Sequence, residues 1–505
     1  MCFEYCEINM RRNRNKPKSN DCNHPAIDHG VGHFAGRLSA DAIETLVAGA
    51  IHILETIGLG EVSPHVHNRF SQGGAGDLDG RVTIPSKLVF ETLEAMPKTV
   101  LLAGQVPTYD MHVGGQNVYL GTGGAAPLVQ DLRCKTYREA TLSDLYDAAR
   151  IANECAHIDF FARSLVARDI ADPMTLDRAT AAAALMGCAK HVMVQATAPE
   201  HLAPIAALCY EIAGSAEAFK ARPFLSLNVN HAVPPLRLHN DSMDVIEQAA
   251  SYGIPVHCNV FGQVGASSPV TIAGAVAQTL AETLAGLVWV HIIKPDAPRI
   301  AGPRPMITDL RSGGLAGGSG EQAMANSMVL QVLRHWNIPC SIIAGATGSR
   351  HIDYQSGFEK ALSISMAISA GANLVTQAAG SQASLMGTSL AGMVADNDML
   401  GATLRGHAPI EMTEDALGLD AIKSVVKGEG HFLGQPETYA RMRSDFIYPE
   451  IAERAGATEL DDNSAPEMQD RALQRAQEIL TKPAPKHVPQ LIRKTLANEF
   501  KIGSE

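Results

Sequence analysis

From about residue 141 the chain repeats one unit: a short, nearly continuous apolar run, then a longer stretch with apolar residues at helical spacing. A strand without a polar face has to be covered on both sides, so this alternation predicts a parallel sheet flanked by helices. The strands expected are 192–196, 224–229, 256–261, 288–293, 299–302, 340–344 and 374–377, with an eighth near 158–161. Eight strand–helix units over about 250 residues is the count of an α/β (β/α)8 TIM barrel. An open doubly wound sheet is the alternative.

The flanks read differently. Residues 1–36 are polar and rich in Asn, Lys and Arg, and form a tail. A helix over 39–57, capped by Ser39, opens an N-terminal α/β extension spanning 37–140. A strand and turn at 80–84 and a helix over 86–95 follow, then hairpin-like strands over 100–124, broken by Gly114-Gly115 and Gly121-Thr-Gly-Gly124. The barrel core is expected over 141–405. A mostly helical segment, 406–505, contains helices at about 465–480 and 488–501.

The net charge of −12 argues against general nucleic-acid binding, and the basic cluster Arg11, Arg12, Arg14, Lys16 and Lys18 reads as a solvated tail. With 46% apolar residues the chain supports a large core, but no run of about 18 strongly apolar residues offers a membrane span. The first twenty residues lack the apolar core of a secretory signal, so the cytoplasm is expected. The nine cysteines are scattered without a CxxC pair, as for reduced thiols. Cys2, Cys6, Cys22 and His24 match no usual zinc spacing, and no metal is expected.

In a barrel, the loops after the strand C-termini carry the chemistry. Here they are Asn-Val-Asn-His at 228–231, the turn at 262–268, the loop at 345–353 and the turn at 377–380. Gly265, Ser267 and Ser268 make a small open turn before a helix, whose backbone N–H groups suit a cofactor. Glu282 stands on that helix in an uncharged stretch. A carboxylate there is either catalytic or paired with an arginine or a backbone group. His351, Asp353, Gln355 and Glu359 form a polar cluster. If Tyr354 starts a helix, Gln355 and Glu359 share a face and Asp353 is its cap. Asp110-x-His112-x-x-Gly115 matches a cobalt-ligand string, but it falls in the hairpin region with no helix after it. No Walker A loop, GxGxxG, HExxH or GxSxG occurs.

An ordered set of short pieces resembles the trimethylamine:corrinoid methyltransferase family. The set includes Leu38-Ser-Ala-Asp-Ala-Ile-Glu, Arg81-Val-Thr-Ile-Pro85 and Gly121-Thr-Gly-Gly-Ala-Ala-Pro127. It continues with Ser267-Ser-Pro-Val-Thr-Ile-Ala-Gly274, Glu282-Thr-Leu-Ala-Gly286, Asp353-Tyr-Gln355 and Gly430-His-Phe-Leu433, and the order holds from about 38 to 449. The resemblance implies a barrel that moves a methyl group from a methylated amine to a corrinoid carried by a separate protein, with no cofactor held tightly in this chain. Enzymes of the family acting on trimethylamine carry pyrrolysine. This chain has only common residues, which points to the branch using quaternary amines such as glycine betaine. His351 falls close to the position of that special residue.

On this reading Glu282 and His351 are catalytic. Phe261, Tyr354 and Tyr109 offer aromatic faces to the ammonium, while Asn230, His231, Asp353 and Gln355 hold the rest of the substrate. Gly265, Ser267 and Ser268 meet the cofactor. The partners expected are a small methylated amine, a corrinoid protein and a second copy in a homodimer, with neither nucleic acid nor membrane. Two alternatives stay open: direct methyl transfer to tetrahydrofolate, and a non-catalytic methylamine-binding protein.

Overall fold

Eight short parallel strands carry the architecture, each followed by a helix. The structure, a computed structural model, describes residues 38–428, 430–454 and 466–503. All of these lie in the compact unit Arg37–Glu505. The strands are β1 (Tyr119–Leu120), β2 (Phe160–Ala162), β3 (His191–Val194), β4 (Leu225–Asn230), β5 (Val256–Val264), β6 (Arg299–Ile307), β7 (Ser341–Ile343) and β8 (Leu374–Thr376). The helices that follow them in turn are α1 (Leu142–Glu154), α2 (Pro173–Gly187), α3 (Leu202–Ala213), α4 (Asn240–Tyr252), α5 (Ile272–Ile293), α6 (Gly320–His335), α7 (Tyr354–Ser369) and α8 (Leu390–His407).

The parallel sheet is curled. One stretch runs β6-β5-β4-β3-β2 and another β7-β8-β1. Single parallel bridges, Gly121↔Phe160 and Ala301↔Cys340, connect the two stretches at both ends. The period-two alternation of each strand sorts its side chains into two environments. Leu225, Leu227 and Val229 of β4, with Val256 and Cys258 of β5, join the large core beneath the helices. Phe160, Ala162, Met193, Ile300 and Leu374 point into the curl and form a second, smaller core. The alternate residues of β4 and β5 are polar: Ser226, Asn228 and Asn230, then His257 and Asn259.

Two sequence expectations are corrected here. Residues 288–293 are not a strand but the end of α5, which is buried on nearly every face. A short β-branched run cannot be told from a fully buried helix by periodicity alone. The eighth strand is instead β1, whose two residues pair in parallel with Leu374 and Val375 of β8. That strand lies within the segment read as hairpin. The true hairpin is Thr99–Leu102 with Met111–Gly114, joined through Leu102↔Met111 and Val100↔Val113. It closes the end of the curl from which the strands start. The Ala103 N–H donates to the Pro223 carbonyl at 3.0 Å and the Gln105 N–H to the Ala189 carbonyl at 2.9 Å, just before β4 and β3.

Helix α5 is long and apolar enough to cross a membrane by length and composition, but 78% of its apolar window is buried inside the protein. Its outer side is covered by the helix Ala40–Thr56, whose cap Ser39 accepts the Ala42 N–H as expected. Beyond α8 the described chain is helical, through Leu419–Lys427, Pro436–Ser444, Met468–Thr481 and Gln490–Phe500. The Asp398 carboxylate of α8 holds the loop at 450–452 by accepting the N–H groups of Glu450, Ile451 and Ala452 at 3.0, 2.6 and 2.9 Å. The basic tail cluster and the Cys2, Cys6, Cys22 and His24 group lie outside the described residues.

Candidate active site

At the C-terminal end of the curled sheet is a cavity of about 390 Å³, within the range of small-molecule sites. All eight strands or the residues directly after them line it. Gly123 and Gly124 follow β1, Arg163 follows β2 and Gln195 follows β3. Asn228 and Asn230 come from β4, Phe261 from β5 and Arg304 from β6. Ile343 ends β7, and Thr376 and Gln377 close β8.

Beneath the cavity is a buried polar column. His191 Nδ1 lies 2.9 Å from the Ala103 carbonyl, which only accepts, so that nitrogen carries the proton. His191 Nε2 then accepts from the Ser226 hydroxyl at 2.8 Å, and Ser226 Oγ accepts from His257 Nε2 at 3.0 Å. Burial lowers the His191 pKa to about 4 and puts His257 well below its ordinary value, so both rings are neutral at pH 7. The next layer is Asn259, which donates to Asn228 Oδ1 at 3.3 Å.

Asn259 fits because its neighbour in register is Gly302. A β-carbon at Gly302 would lie 1.9 Å from Asn259 Oδ1 and 3.1 Å from the Cys258 carbonyl oxygen. We expect Gly302→Ala to cost about 1–3 kcal/mol by overpacking, read as a lower urea midpoint at unchanged slope. An unchanged midpoint would show that Asn259 has room to move.

The cavity's charge is one-sided. Arg163 and Arg304 line it, and none of the described lining residues is Asp or Glu. Arg304 is 8% exposed, and its Nε and Nη2 have no partner among the described residues. Burial lowers its pKa to about 10, so it remains a cation at neutral pH. Arg163 donates through Nη2 to Gln195 Oε1 and leaves Nε unpartnered. Burial lowers its pKa too, with the Asp177 carboxylate opposing the shift. Gln377 Oε1 is also buried without a partner.

Of the residues singled out by sequence, Phe261 and Asn230 line this cavity. His231 is adjacent in sequence but buried elsewhere: its Nε2 donates to the Glu282 carbonyl oxygen at 2.8 Å and its ring packs on Gly286. Glu282 is not among the lining residues. Its Oε1 accepts the Leu236 N–H at 2.7 Å and the Gln278 amide at 3.3 Å, while Oε2 is buried without a partner.

Asp353 caps α7, accepting the Ser356 N–H at 2.8 Å and the Ser349 hydroxyl at 2.8 Å. Gln355 donates to Glu359 at 3.0 Å, and Tyr354 is 87% exposed beside Phe358. Asp353 and the exposed His351 belong to the rim loop after β7, Tyr354 and Gln355 open α7, and none of the four lines the cavity. Tyr109 sits in the hairpin at the opposite end of the sheet, its ring centroid 5.7 Å from Lys190 Nζ. The turn with Gly265, Ser267 and Ser268 differs from the open cradle expected. The N–H groups of Ala266, Ser267 and Ser268 donate to the Gln263 carbonyl, and that of Gly265 to the Ser268 carbonyl. His65, Asp244 and Glu247 bring three potential ligand atoms within 4.8 Å of one another, but none of them lines the cavity.

Burial raises the Glu282 pKa from 4.5 to about 7, with the Leu236 and Gln278 hydrogen bonds opposing the shift. Its raised folded-state pKa stabilises the fold fully below pH 4.5, and that stability is lost as pH rises through about 7. We expect Glu282→Gln to match the parent near pH 4 and to exceed it by about 3 kcal/mol at pH 8, measured by chemical denaturation. A constant difference between the two proteins across that range would contradict the shift.

Sequence reasoning missed the two arginines. Arg304 lies two residues beyond the expected end of its strand, yet the period-two series Ile300, Gly302, Arg304 was readable. Arg163 follows the strand whose limits were least defined.

The trimethylamine methyltransferase (MTTB) family model matches residues 8–501. The chain is similar to trimethylamine methyltransferase MttB of Desulfitobacterium hafniense (strain DSM 10664 / DCB-2). The two are 28% identical over 476 residues, covering 93% of this chain and 95% of the relative. It is also similar to a glycine betaine methyltransferase of Desulfitobacterium hafniense (strain Y51), at 26% identity over 419 residues, 83% of this chain and 87% of the relative. Among solved structures, the monomethylamine methyltransferase MtmB of Methanosarcina barkeri superposes with a TM-score of 0.51 at 13% identity, covering 88% of each chain, which speaks to the fold alone.

Proposed function

The chain belongs to the trimethylamine methyltransferase family, and from that premise we propose that it moves a methyl group from a quaternary methylated amine of the glycine betaine type to the Co(I) corrinoid of a partner protein. It is a methyltransferase, and its named relatives are methyltransferases. The observation that carries the site assignment is the single cavity wall built by all eight strand ends. We read the curled sheet as a closed (β/α)8 barrel. The bridges Gly121↔Phe160 and Ala301↔Cys340 support this, as does the position of the cavity at the strand C-termini. The six described cysteines are all free, which supports the cytoplasm as its place of work.

A reduced corrinoid docked at the open end would supply the nucleophile that takes the methyl group, the C–N pair passing to nitrogen so that a neutral tertiary amine leaves. This chain supplies binding, alignment and exclusion of water. Phe261 gives the ammonium an aromatic face, and Asn228 and Asn230 give polar contacts on the same side of the wall. A quaternary nitrogen needs no proton on leaving, which fits a floor made of neutral histidines. The cavity holds a small amine, so the acceptor meets the methyl group through its open end.

The test is product analysis. With glycine betaine and a reduced corrinoid protein, mass spectrometry should detect dimethylglycine, and only when the corrinoid protein is present. If no quaternary amine in a panel loses a methyl group under those conditions, the assignment fails.

A further inference from the structure

We infer that Arg304 and Arg163 select the substrate by its carboxylate, which they hold inside the cavity. The inference rests on the proposed methyl-transfer site for the position of the ammonium, but the anion-binding half stands on the arginines alone.

Two guanidiniums share one cavity wall without a carboxylate among the described lining residues. Arg304 is nine-tenths buried, and two of its nitrogens find no acceptor among the described residues. A buried cation with orphaned donors is costly, and such groups are retained where a ligand completes them. Arg163 repeats the pattern, with its Nε unsatisfied and its Nη2 committed to Gln195. Donors in this planar fork match the two oxygens of a carboxylate.

The same charges exclude a bare cation. Trimethylammonium, tetramethylammonium or choline would bring a third positive charge into a low-dielectric cavity whose described lining offers no carboxylate. A betaine brings its own counter-charge. Its carboxylate meets the arginines, and its trimethylammonium lies against Phe261, the register neighbour of Arg304 on the adjacent strand.

The test is titration calorimetry on the full chain with no corrinoid present. The probes are glycine betaine, γ-butyrobetaine, carnitine and proline betaine, set against choline and tetramethylammonium. At least one zwitterion should bind about 100-fold more tightly than choline, because choline offers the guanidiniums no carboxylate and leaves their donors unpaired. Arg304→Gln should weaken that binding by about 100-fold and Arg304→Lys by about tenfold, because lysine keeps the charge without the fork. Thermal melts of both variants check that they fold. Three results would each overturn the inference: choline or tetramethylammonium binding as tightly as the zwitterions, no zwitterion binding, or unchanged affinity in folded Arg304→Gln. The two readings fail separately. Zwitterion binding without methyl transfer to a reduced corrinoid protein would remove only the reaction, whereas efficient transfer from tetramethylammonium would remove only the zwitterion.

Discussion

Arg304→Met should lower kcat/KM for the zwitterionic amine by about 10³-fold while making the folded protein more stable by about 1–3 kcal/mol. The two effects have one cause. In the free protein Arg304 is buried with Nε and Nη2 unpartnered, so removing the charge relieves a desolvation cost. In the complex the same donors meet a carboxylate, so removing them leaves that anion unpaired in the cavity. Methionine keeps much of the side-chain volume and avoids a void. Steady-state kinetics and urea denaturation read the two quantities independently. Loss of activity together with loss of stability would mean that Arg304 is structural and that the cavity charge serves the fold.

Asp396→Ala should destabilise the protein by about 3–5 kcal/mol, the largest loss expected from a single change remote from the cavity. Lys360 is 1% exposed, and its Nζ lies 2.6 Å from Asp396 Oδ2. The same carboxylate oxygen accepts the Gly380 N–H at 2.8 Å. One acid therefore ties α7, α8 and the turn after β8 together. Removing it leaves a buried ammonium and a buried amide without acceptors. Adding Lys360→Met to Asp396→Ala should recover much of the loss, since no buried charge is then stranded. A double variant no more stable than Asp396→Ala alone would show that packing around the pair matters, and not its charge.

The α/β alternation was legible because strands covered on both faces leave continuous apolar runs, and seven of the eight strands lie at or beside such runs. The failures are local. Tyr119–Leu120 is two residues long and carries no period, so nothing marked it as part of the parallel sheet. Residues 288–293 carry β-branched residues but end a helix that has no solvent face to betray its period. Polar residues posed the harder problem. Glu282 and Asp353 stand out in sequence, but each is engaged by a backbone N–H, Glu282 by that of Leu236 in a distant loop and Asp353 by that of Ser356 in the helix it caps. Phe261 and Asn230 were reached from their place at strand ends, and the cavity includes both. Arg304 and Arg163 looked ordinary because an arginine acquires its meaning from burial without a partner, which only the folded chain reveals.

The most direct test of the account is to follow the cobalt absorbance of a reduced corrinoid protein mixed with this enzyme and either glycine betaine or choline. The two amines share a trimethylammonium group and differ in whether a carboxylate is present. Rapid methylation of Co(I) with glycine betaine, and little with choline, is the predicted result. Methylation by choline at the same rate, or by neither amine nor any other betaine, would contradict it.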